Sequence, residues 1–282
     1  MEPVCSRCGH SPMTRPAAFA VPAPSRTHRG RAAIAELRAA VAFLTRVPVR
    51  LATPDRERTG AAAFGLIGAA IGFIGAVPLL LLGPRVPWPA AILALLVLVV
   101  ASGGLHLDGL ADTADALVAP TPDAAERART DPRAGAAGVV AIVLDLLLAA
   151  SLLAVMDAAD PRLAAAALVV AAAGSRAAAP VAAWIARFRR IGSRPGLGGW
   201  FSARISAADV VASIVMIVLA TGVAAIVAGT IVVTGTVAGL VAAAIGGAVA
   251  IARRGQLDGD GYGAIVEVTF LAILAGIAVA AS

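Results

Sequence analysis

The stretch GGLHLDGLADTADA, residues 103–116, carries three aspartates at helical spacing beside a long apolar segment. Asp108, Asp112 and Asp115 are separated by four and then three residues, which places them within about 60° of one another on one helical face. Carboxylates in one stripe repel each other unless a cation lies among them. Carboxylate oxygens suit Mg²⁺, which keeps coordination positions open for substrate phosphates. These three aspartates are therefore the predicted metal ligands.

The same aspartates also fit a simpler role. Acidic residues near the start of a helix cap it and favour the positive end of its dipole. Two features favour a ligand site instead. Gly109 and the Gly103-Gly104 pair allow the backbone to approach a ligand closely. In addition, the stretch adjoins a predicted membrane segment rather than open solvent.

The composition indicates an integral membrane protein. Of the 282 residues, 60% are hydrophobic and only 14% are charged, and the mean hydropathy is +0.90. The net charge of +6 comes from arginines in the predicted loops, with few aromatic residues between them. That pattern is typical of membrane topology and does not indicate a nucleic-acid partner. The sequence indicates no oligomeric state.

The predicted fold class is all-α: a polytopic helical bundle with about seven transmembrane helices. The apolar runs that approach the ~20 residues needed for a span are residues 61–83, 89–105, 135–156, 163–186, 207–228, 230–252 and 263–281. Residues 1–31 are predicted to be a disordered extension, and residues 32–282 a membrane-embedded catalytic domain. The first part of that domain, residues 32–51, is predicted to be an amphipathic helix in the membrane interface.

Arginines determine the predicted orientation. They crowd the N-terminal tail and the connections at 106–134, 187–206 and 253–254, whereas the connections between these carry only Arg85 and Arg162. By the positive-inside rule the arginine-rich segments are cytoplasmic. The N-terminus and the aspartate stripe are therefore placed at the cytoplasmic face of the membrane. The predicted location is the inner membrane of a bacterium.

Charged residues elsewhere complete the candidate site. Asp260 lies between glycines just before the last predicted span, which Glu267 then enters, and Arg133 precedes a glycine-containing helix start that suits a phosphate. Asp145 and Arg176 each lie ten residues from the cytoplasmic end of a span. Because a lone charge in the hydrocarbon region is costly, each of these two is expected to have a partner or to line a polar cavity.

Taken together, these motifs resemble the cobalamin synthase family, the membrane-bound adenosylcobinamide-GDP ribazoletransferases. The resemblance runs from about Phe43 to Glu267. Besides the aspartate stretch, it rests on FLTRVPV at 43–49, FGLIGAAIG at 64–72, DPRAGAAG at 131–138, Ser175-Arg176, GLG at 196–198 and GDGYGAIVE at 259–267.

The resemblance implies an Mg²⁺-dependent phosphoryl transfer in vitamin B12 assembly. A ribose hydroxyl of α-ribazole, or of its 5′-phosphate, would attack the cobinamide-side phosphorus of adenosylcobinamide-GDP and release GMP. The aspartate stripe would hold the metal, and Arg133 and Arg176 would contact phosphate oxygens. Asp260 and Glu267 would complete the metal shell or accept the proton of the attacking hydroxyl. His106 would touch a phosphate or carry a proton, or it is a hydrogen-bonded interfacial histidine.

Two other functions remain open at this point. A CDP-alcohol phosphatidyltransferase also uses an Asp-Gly core with spaced aspartates at a cytoplasmic membrane surface, but it places an arginine after the DGxxA core, where this chain has Asp112. A transporter would use the deep Asp145 and Arg176 for coupling or substrate. The sequence offers no convincing inverted repeat for that class.

Overall fold

The computed structural model of the chain describes residues 26–52, 58–131, 133–189, 191, 196–254 and 257–282. Within these ranges the chain forms eleven α-helices and no strand. The helices are α1 (Arg26–Leu44), α2 (Phe64–Leu82), α3 (Pro87–Ser102), α4 (Leu105–Val118), α5 (Pro122–Thr130), α6 (Ala136–Ala159), α7 (Pro161–Phe188), α8 (Leu197–Arg204), α9 (Ala207–Ala228), α10 (Ile231–Arg254) and α11 (Gly259–Ala281). The predicted all-α architecture is confirmed.

The polytopic character is also confirmed, although the number of straight spans is smaller than seven. In the described ranges, five helices are long and apolar enough to cross a membrane: α2 with the 3-10 turn before it, α6, α7, α9 and α11. The helices α3 and α4 meet the same requirement only together, with a bend of 91° between them. In α10 the apolar part is the shorter Ile231–Ile245. Of the seven predicted spans, 89–105 and 230–252 are therefore the two that do not form one straight apolar helix long enough to cross a membrane.

Two glycines account for the bend between α3 and α4. Gly103 and Gly104 have φ of 65° and 75°, in the left-handed region that side chains other than glycine rarely adopt. Their amides donate to the carbonyls of Val100 and Val99 and so end α3. The helix that carries the aspartate stripe therefore starts afresh at Leu105, almost perpendicular to the apolar helix before it.

The core of the bundle is α7. Its alanine-rich surface, from Ala164 to Ala173, is buried against α2, α9, α11 and α6. On α2, a Cβ added to Gly68 would lie 2.2 Å from the carbonyl oxygen of Ala172, so the two backbones touch. Small residues allow this close approach, which supplies packing energy where lipid offers no hydrophobic driving force. The polar residues on α7 and α11 are thereby held by rigid neighbours.

The N-terminal helix differs from its expected bounds. It begins at Arg26, within the segment predicted to be a disordered extension, and ends at Leu44 rather than near residue 51. Ile34 and Leu37, from the predicted apolar side, are exposed, whereas Ala39 and Ala40 pack against the protein. Exposed apolar side chains suit a helix that also faces lipid. The CxxC pair at Cys5 and Cys8 lies outside the described residues.

The orientation can be tested by cysteine labelling after Cys5 and Cys8 are replaced by serine. Asp123→Cys on α5 and Arg162→Cys at the start of α7 are both exposed positions. A membrane-impermeant maleimide applied to intact spheroplasts is expected to label Arg162→Cys and to label Asp123→Cys only after permeabilisation. The reverse pattern would place the aspartate stripe on the outer face.

Candidate active site

The site is built where α4 crosses α11. A Cβ added to Gly109 would lie 2.8 Å from the carbonyl oxygen of Asp260 and 3.0 Å from Cα of Gly263. A Cβ added to Gly263 would in turn meet Cα of Gly109 at 3.1 Å. Both positions therefore require glycine for the helices to touch. The sequence predicts that the backbone at Gly109 approaches a ligand closely. In the structure this backbone approaches α11, and Gly109 also lines the adjoining cavity.

This crossing gathers carboxylates from two distant parts of the sequence. Asp108 and Asp260 line the same cavity. The half-buried Asp112 experiences the negative charges of Asp260, Asp108 and Asp115. The predicted convergence of the stripe with the glycine-rich segment before the last span is therefore present in the structure.

Asp115 makes a different contact from its two neighbours in the stripe. Its carboxylate accepts hydrogen bonds from the backbone amides of Gly135, at 2.7 Å, and Gly138, at 2.9 Å. These amides begin α6, so Asp115 caps that helix from α4. The start of α6, which the sequence suggests as a phosphate-binding position, is thus occupied by the carboxylate of Asp115. The predicted role of Asp115 as a metal ligand stays a prediction.

The cavity at this crossing has a volume of about 350 Å³ and is lined by two kinds of residue. The charged residues and the histidine are Asp108, Asp258, Asp260, Arg129, Arg176 and His106. The aromatic and aliphatic residues come mostly from α1, α2, α8 and α11. Such a cavity suits a ligand that has both an ionic and an apolar part.

The two arginines near residue 130 lie in different surroundings. Arg133 is exposed, and its guanidinium makes a forked pair with Asp131, with Nε–Oδ1 at 3.0 Å and Nη2–Oδ2 at 2.9 Å. These hydrogen bonds lower the pKa of Asp131. Arg129 instead lines the cavity, with its Nη1 atom 3.6 Å from Oδ2 of Asp258. The structure therefore brings Arg129 to the cavity and leaves Arg133, the arginine selected from the sequence, outside it.

Two residues without a role assigned from the sequence also line the cavity. Asp258, which the sequence places beside Asp260 before the last predicted span, caps α11 by accepting a hydrogen bond from the Gly261 amide at 2.9 Å. Its position before Gly-Asp-Gly at a helix start is a recognisable capping pattern. Arg129 is the residue that sequence reasoning missed, because it resembles the other arginines of its connection and only the packing of α5 distinguishes it.

Buried charges continue from the cavity into the bundle. Arg176 is 3% exposed and lines both the main cavity and a small cavity of about 20 Å³ that Asp145 and Glu267 share. Its Nη1 atom donates to the Ser175 hydroxyl at 3.0 Å. His106 lies between the two cavities, with Nδ1 3.9 Å from Oε1 of Glu267. The expectation that the deep Asp145 and Arg176 face a polar cavity thus agrees with their positions.

The donors present agree in chemistry with a magnesium site. Asp108, Asp112 and Asp260 supply the hard oxygen ligands that Mg²⁺ prefers. In the described part of the chain, however, no three histidine, cysteine, aspartate or glutamate side chains are already gathered as a metal-binding group. Mg²⁺ commonly retains waters and takes its other ligands from substrate phosphates. The donor set is therefore suited to a metal that binds together with its substrate.

Comparison with known proteins places the chain in a family. The family model for cobalamin-5-phosphate synthase matches residues 36–278, which include every residue that lines the cavity. The chain belongs to this family. No solved structure matches this chain significantly.

Three similar curated proteins share one name. The adenosylcobinamide-GDP ribazoletransferase of Brevibacillus brevis is 31% identical over 183 residues, 64% of this chain and 71% of the relative. Those of Pseudomonas paraeruginosa and Pseudomonas aeruginosa are 39% and 35% identical over 134 and 165 residues. These two matches cover 45% and 56% of this chain and 54% and 60% of the relatives. The chain thus spans between about half and seven tenths of the length of these three relatives.

Stability measurements will separate the capping aspartate from the cavity aspartate. Asp115→Ala removes the acceptor of two amides and is expected to cost about 1–2 kcal/mol, seen as a lower melting temperature in detergent. Asp108→Asn, which changes an exposed side chain of the cavity, is expected to leave the melting temperature unchanged. An unchanged melting temperature for Asp115→Ala would contradict the capping role.

The close contact between α4 and α11 can be tested by adding a methyl group at Gly109. Gly109→Ala forces the backbones of α4 and α11 apart and is expected to cost about 1–3 kcal/mol. Gly222→Ala on α9 is the matched control, because a Cβ there meets nothing within 4 Å. Equal melting temperatures for the two variants would show that the crossing is looser than described.

Proposed function

We propose that the chain is an adenosylcobinamide-GDP ribazoletransferase. It would join adenosylcobinamide-GDP to α-ribazole, or to its 5′-phosphate, and give adenosylcobalamin, or its 5′-phosphate, and GMP. Family membership and the names of the relatives support this activity. Both also favour it over the phosphatidyltransferase and transporter alternatives.

One structural observation carries the proposal: carboxylates from α4 and α11 and two arginines meet at a single cavity. Asp108 and Asp260 lie on one side of it, and Arg129 and Arg176 bring positive charge to it. Phosphoryl transfer depends mainly on positioning and on neutralising phosphate charge, and it needs no covalent nucleophile from the protein. A cavity with both kinds of charge meets these needs.

The reaction exchanges one phosphorus–oxygen bond for another. A ribose hydroxyl of α-ribazole forms a bond to the cobinamide-side phosphorus, the bond between the two phosphates breaks, and GMP leaves with the bonding electrons. The hydroxyl proton passes to a carboxylate. The two acceptors selected from the sequence are Asp260, which lines the cavity, and Glu267, whose Oε1 atom lies 3.9 Å from Nδ1 of His106. Arg129 and Arg176 orient the diphosphate.

Mg²⁺ is the proposed cofactor. Asp108 and Asp112 would hold the ion, with Asp260 as a further donor. Asp115 is a further ligand that is predicted from the spacing of the three aspartates in the sequence. When bound, the ion supplies charge neutralisation to the diphosphate and to the departing phosphate. The proposed setting is the inner membrane of a bacterium, with the cavity open to the cytoplasm, where a nucleotide-linked substrate is available.

Release of GMP tests the proposal. Protein reconstituted in liposomes with adenosylcobinamide-GDP, α-ribazole and Mg²⁺ is expected to release GMP, and EDTA is expected to stop the release until Mg²⁺ is restored. Asp108→Asn is expected to lower kcat by at least about a hundredfold. Asp123→Asn, an exposed carboxylate outside the cavity, serves as the control. Wild-type protein that releases no GMP, or an Asp108→Asn variant with full activity, would contradict the proposal.

The two arginines near residue 130 provide a second test. Arg129→Ala is expected to lower kcat/KM by at least about tenfold, because it removes a cation from the cavity. Arg133→Ala is expected to have the smaller effect, since its guanidinium already pairs with Asp131 outside the cavity. A larger loss for Arg133→Ala would favour the arginine selected from the sequence.

A further inference from the structure

Four aromatic rings from four helices meet on one wall of the main cavity. Phe43 of α1, Phe64 of α2, Phe201 of α8 and Tyr262 of α11 all line it. The centroid of the Phe201 ring lies 5.8 Å from that of Phe43, 5.6 Å from that of Phe64 and 5.4 Å from that of Tyr262. We call these four residues the aromatic wall. The whole chain has only 11 aromatic residues (3 Trp, 1 Tyr and 7 Phe), so four of them at one cavity is a marked concentration.

The aromatic wall shares its cavity with charged residues. Asp108, Asp260 and Arg176 are among its polar residues. A phosphate would be attracted to the arginines, but it gains nothing from phenylalanine rings. A flat aromatic group gains stacking energy from such rings and needs no hydrogen bonds there. The cavity is therefore complementary to a molecule that joins an aromatic ring to a reacting polar group.

The proposed reaction offers three aromatic bases: the guanine of the GDP group, the adenine of the adenosyl group and the base of α-ribazole. Guanine and adenine each carry several donors and acceptors, which are unfavourable to bury without partners. The benzimidazole base of α-ribazole is apolar and keeps one free ring nitrogen, an acceptor, after its bond to ribose. An aromatic wall therefore suits the benzimidazole base far better than either purine.

The wall also offers one hydrogen-bond donor. The Tyr262 hydroxyl is buried beside Ser202, and their interaction falls short of normal hydrogen-bond geometry. The Ser202 hydroxyl donates to the carbonyl of Gly199 at 3.2 Å, so its oxygen is the acceptor that lies near Tyr262. A ligand with a single acceptor in an otherwise apolar ring would give the buried Tyr262 hydroxyl a better partner.

We propose that the aromatic wall binds the apolar, benzimidazole-type base of the nucleoside substrate, and that Tyr262 donates a hydrogen bond to its free ring nitrogen. The proposal rests on the proposed function for the identity of the nucleoside. With the base on this wall, the attached ribose extends toward Asp108 and Asp260 in the same cavity. Phe201, which contacts the other three rings, then becomes a determinant of base specificity.

The test measures the two substrates separately. In liposomes, Phe201→Leu is expected to raise KM for α-ribazole at least about tenfold and to leave KM for adenosylcobinamide-GDP within about twofold. Tyr262→Phe keeps the ring and removes only the hydroxyl, and it is expected to raise KM for α-ribazole about fivefold. Phe73→Leu is the control. Phe73 is an exposed residue of α2 and is not among the residues that line the cavity. If Phe201→Leu does not fold, Tyr262→Phe decides the matter.

Calorimetric titration of the protein in nanodiscs with α-ribazole alone separates this inference from the activity. Weaker α-ribazole binding in both wall variants, with unchanged binding in Phe73→Leu, would support it. Wall variants that bind α-ribazole like the wild type, or that raise only KM for adenosylcobinamide-GDP, would overturn it. A wild type that binds α-ribazole but releases no GMP would contradict the proposed function and leave the base site supported.

Discussion

The contact on which the site depends is the close approach of α4 and α11 at Gly109 and Gly263. Any side chain at either position would meet backbone atoms of the other helix at about 3 Å. Because the helices touch there, Asp108 and Asp112 from one lie beside Asp260 from the other. The left-handed Gly103-Gly104 turn is the second requirement, since it directs α4 across the bundle instead of extending α3. Glycine thus supplies the geometry, and the aspartates that follow supply the chemistry.

A membrane setting explains why the charges of this bundle are grouped. An isolated ion in hydrocarbon is unfavourable by at least about 2.5 kcal/mol. Arg176, Glu267 and Asp145 line one small cavity, and the positive charge of Arg176 acts on the carboxylate of Glu267. Arg176 also opens onto the main cavity and lies 5.8 Å from the centroid of the Phe270 ring. The same residue therefore lowers the cost of burying Glu267 and brings positive charge to the place where a diphosphate would bind.

Periodic and compositional features of the fold could be predicted from the sequence. The spacing of Asp108, Asp112 and Asp115 correctly predicted a helix, and apolar length correctly predicted a polytopic bundle. The convergence of the aspartate stripe with the segment before the last span was also predicted, but the individual contacts between distant residues could not be. Asp115 caps α6 because Gly135 and Gly138 happen to pack beneath it, and Arg129 rather than Arg133 reaches the cavity because of how α5 lies. The aromatic wall draws single residues from four helices, and no local pattern indicates that they meet.

A cryo-EM map of the protein in nanodiscs with Mg²⁺ and adenosylcobinamide-GDP, without the nucleoside, would test the central claim most directly. The claim predicts that density for the diphosphate lies in the cavity between Asp108 of α4 and Asp260 of α11, with Arg129 and Arg176 beside it. A diphosphate bound elsewhere, or α4 and α11 separated at Gly109 and Gly263 in the complex, would contradict the account.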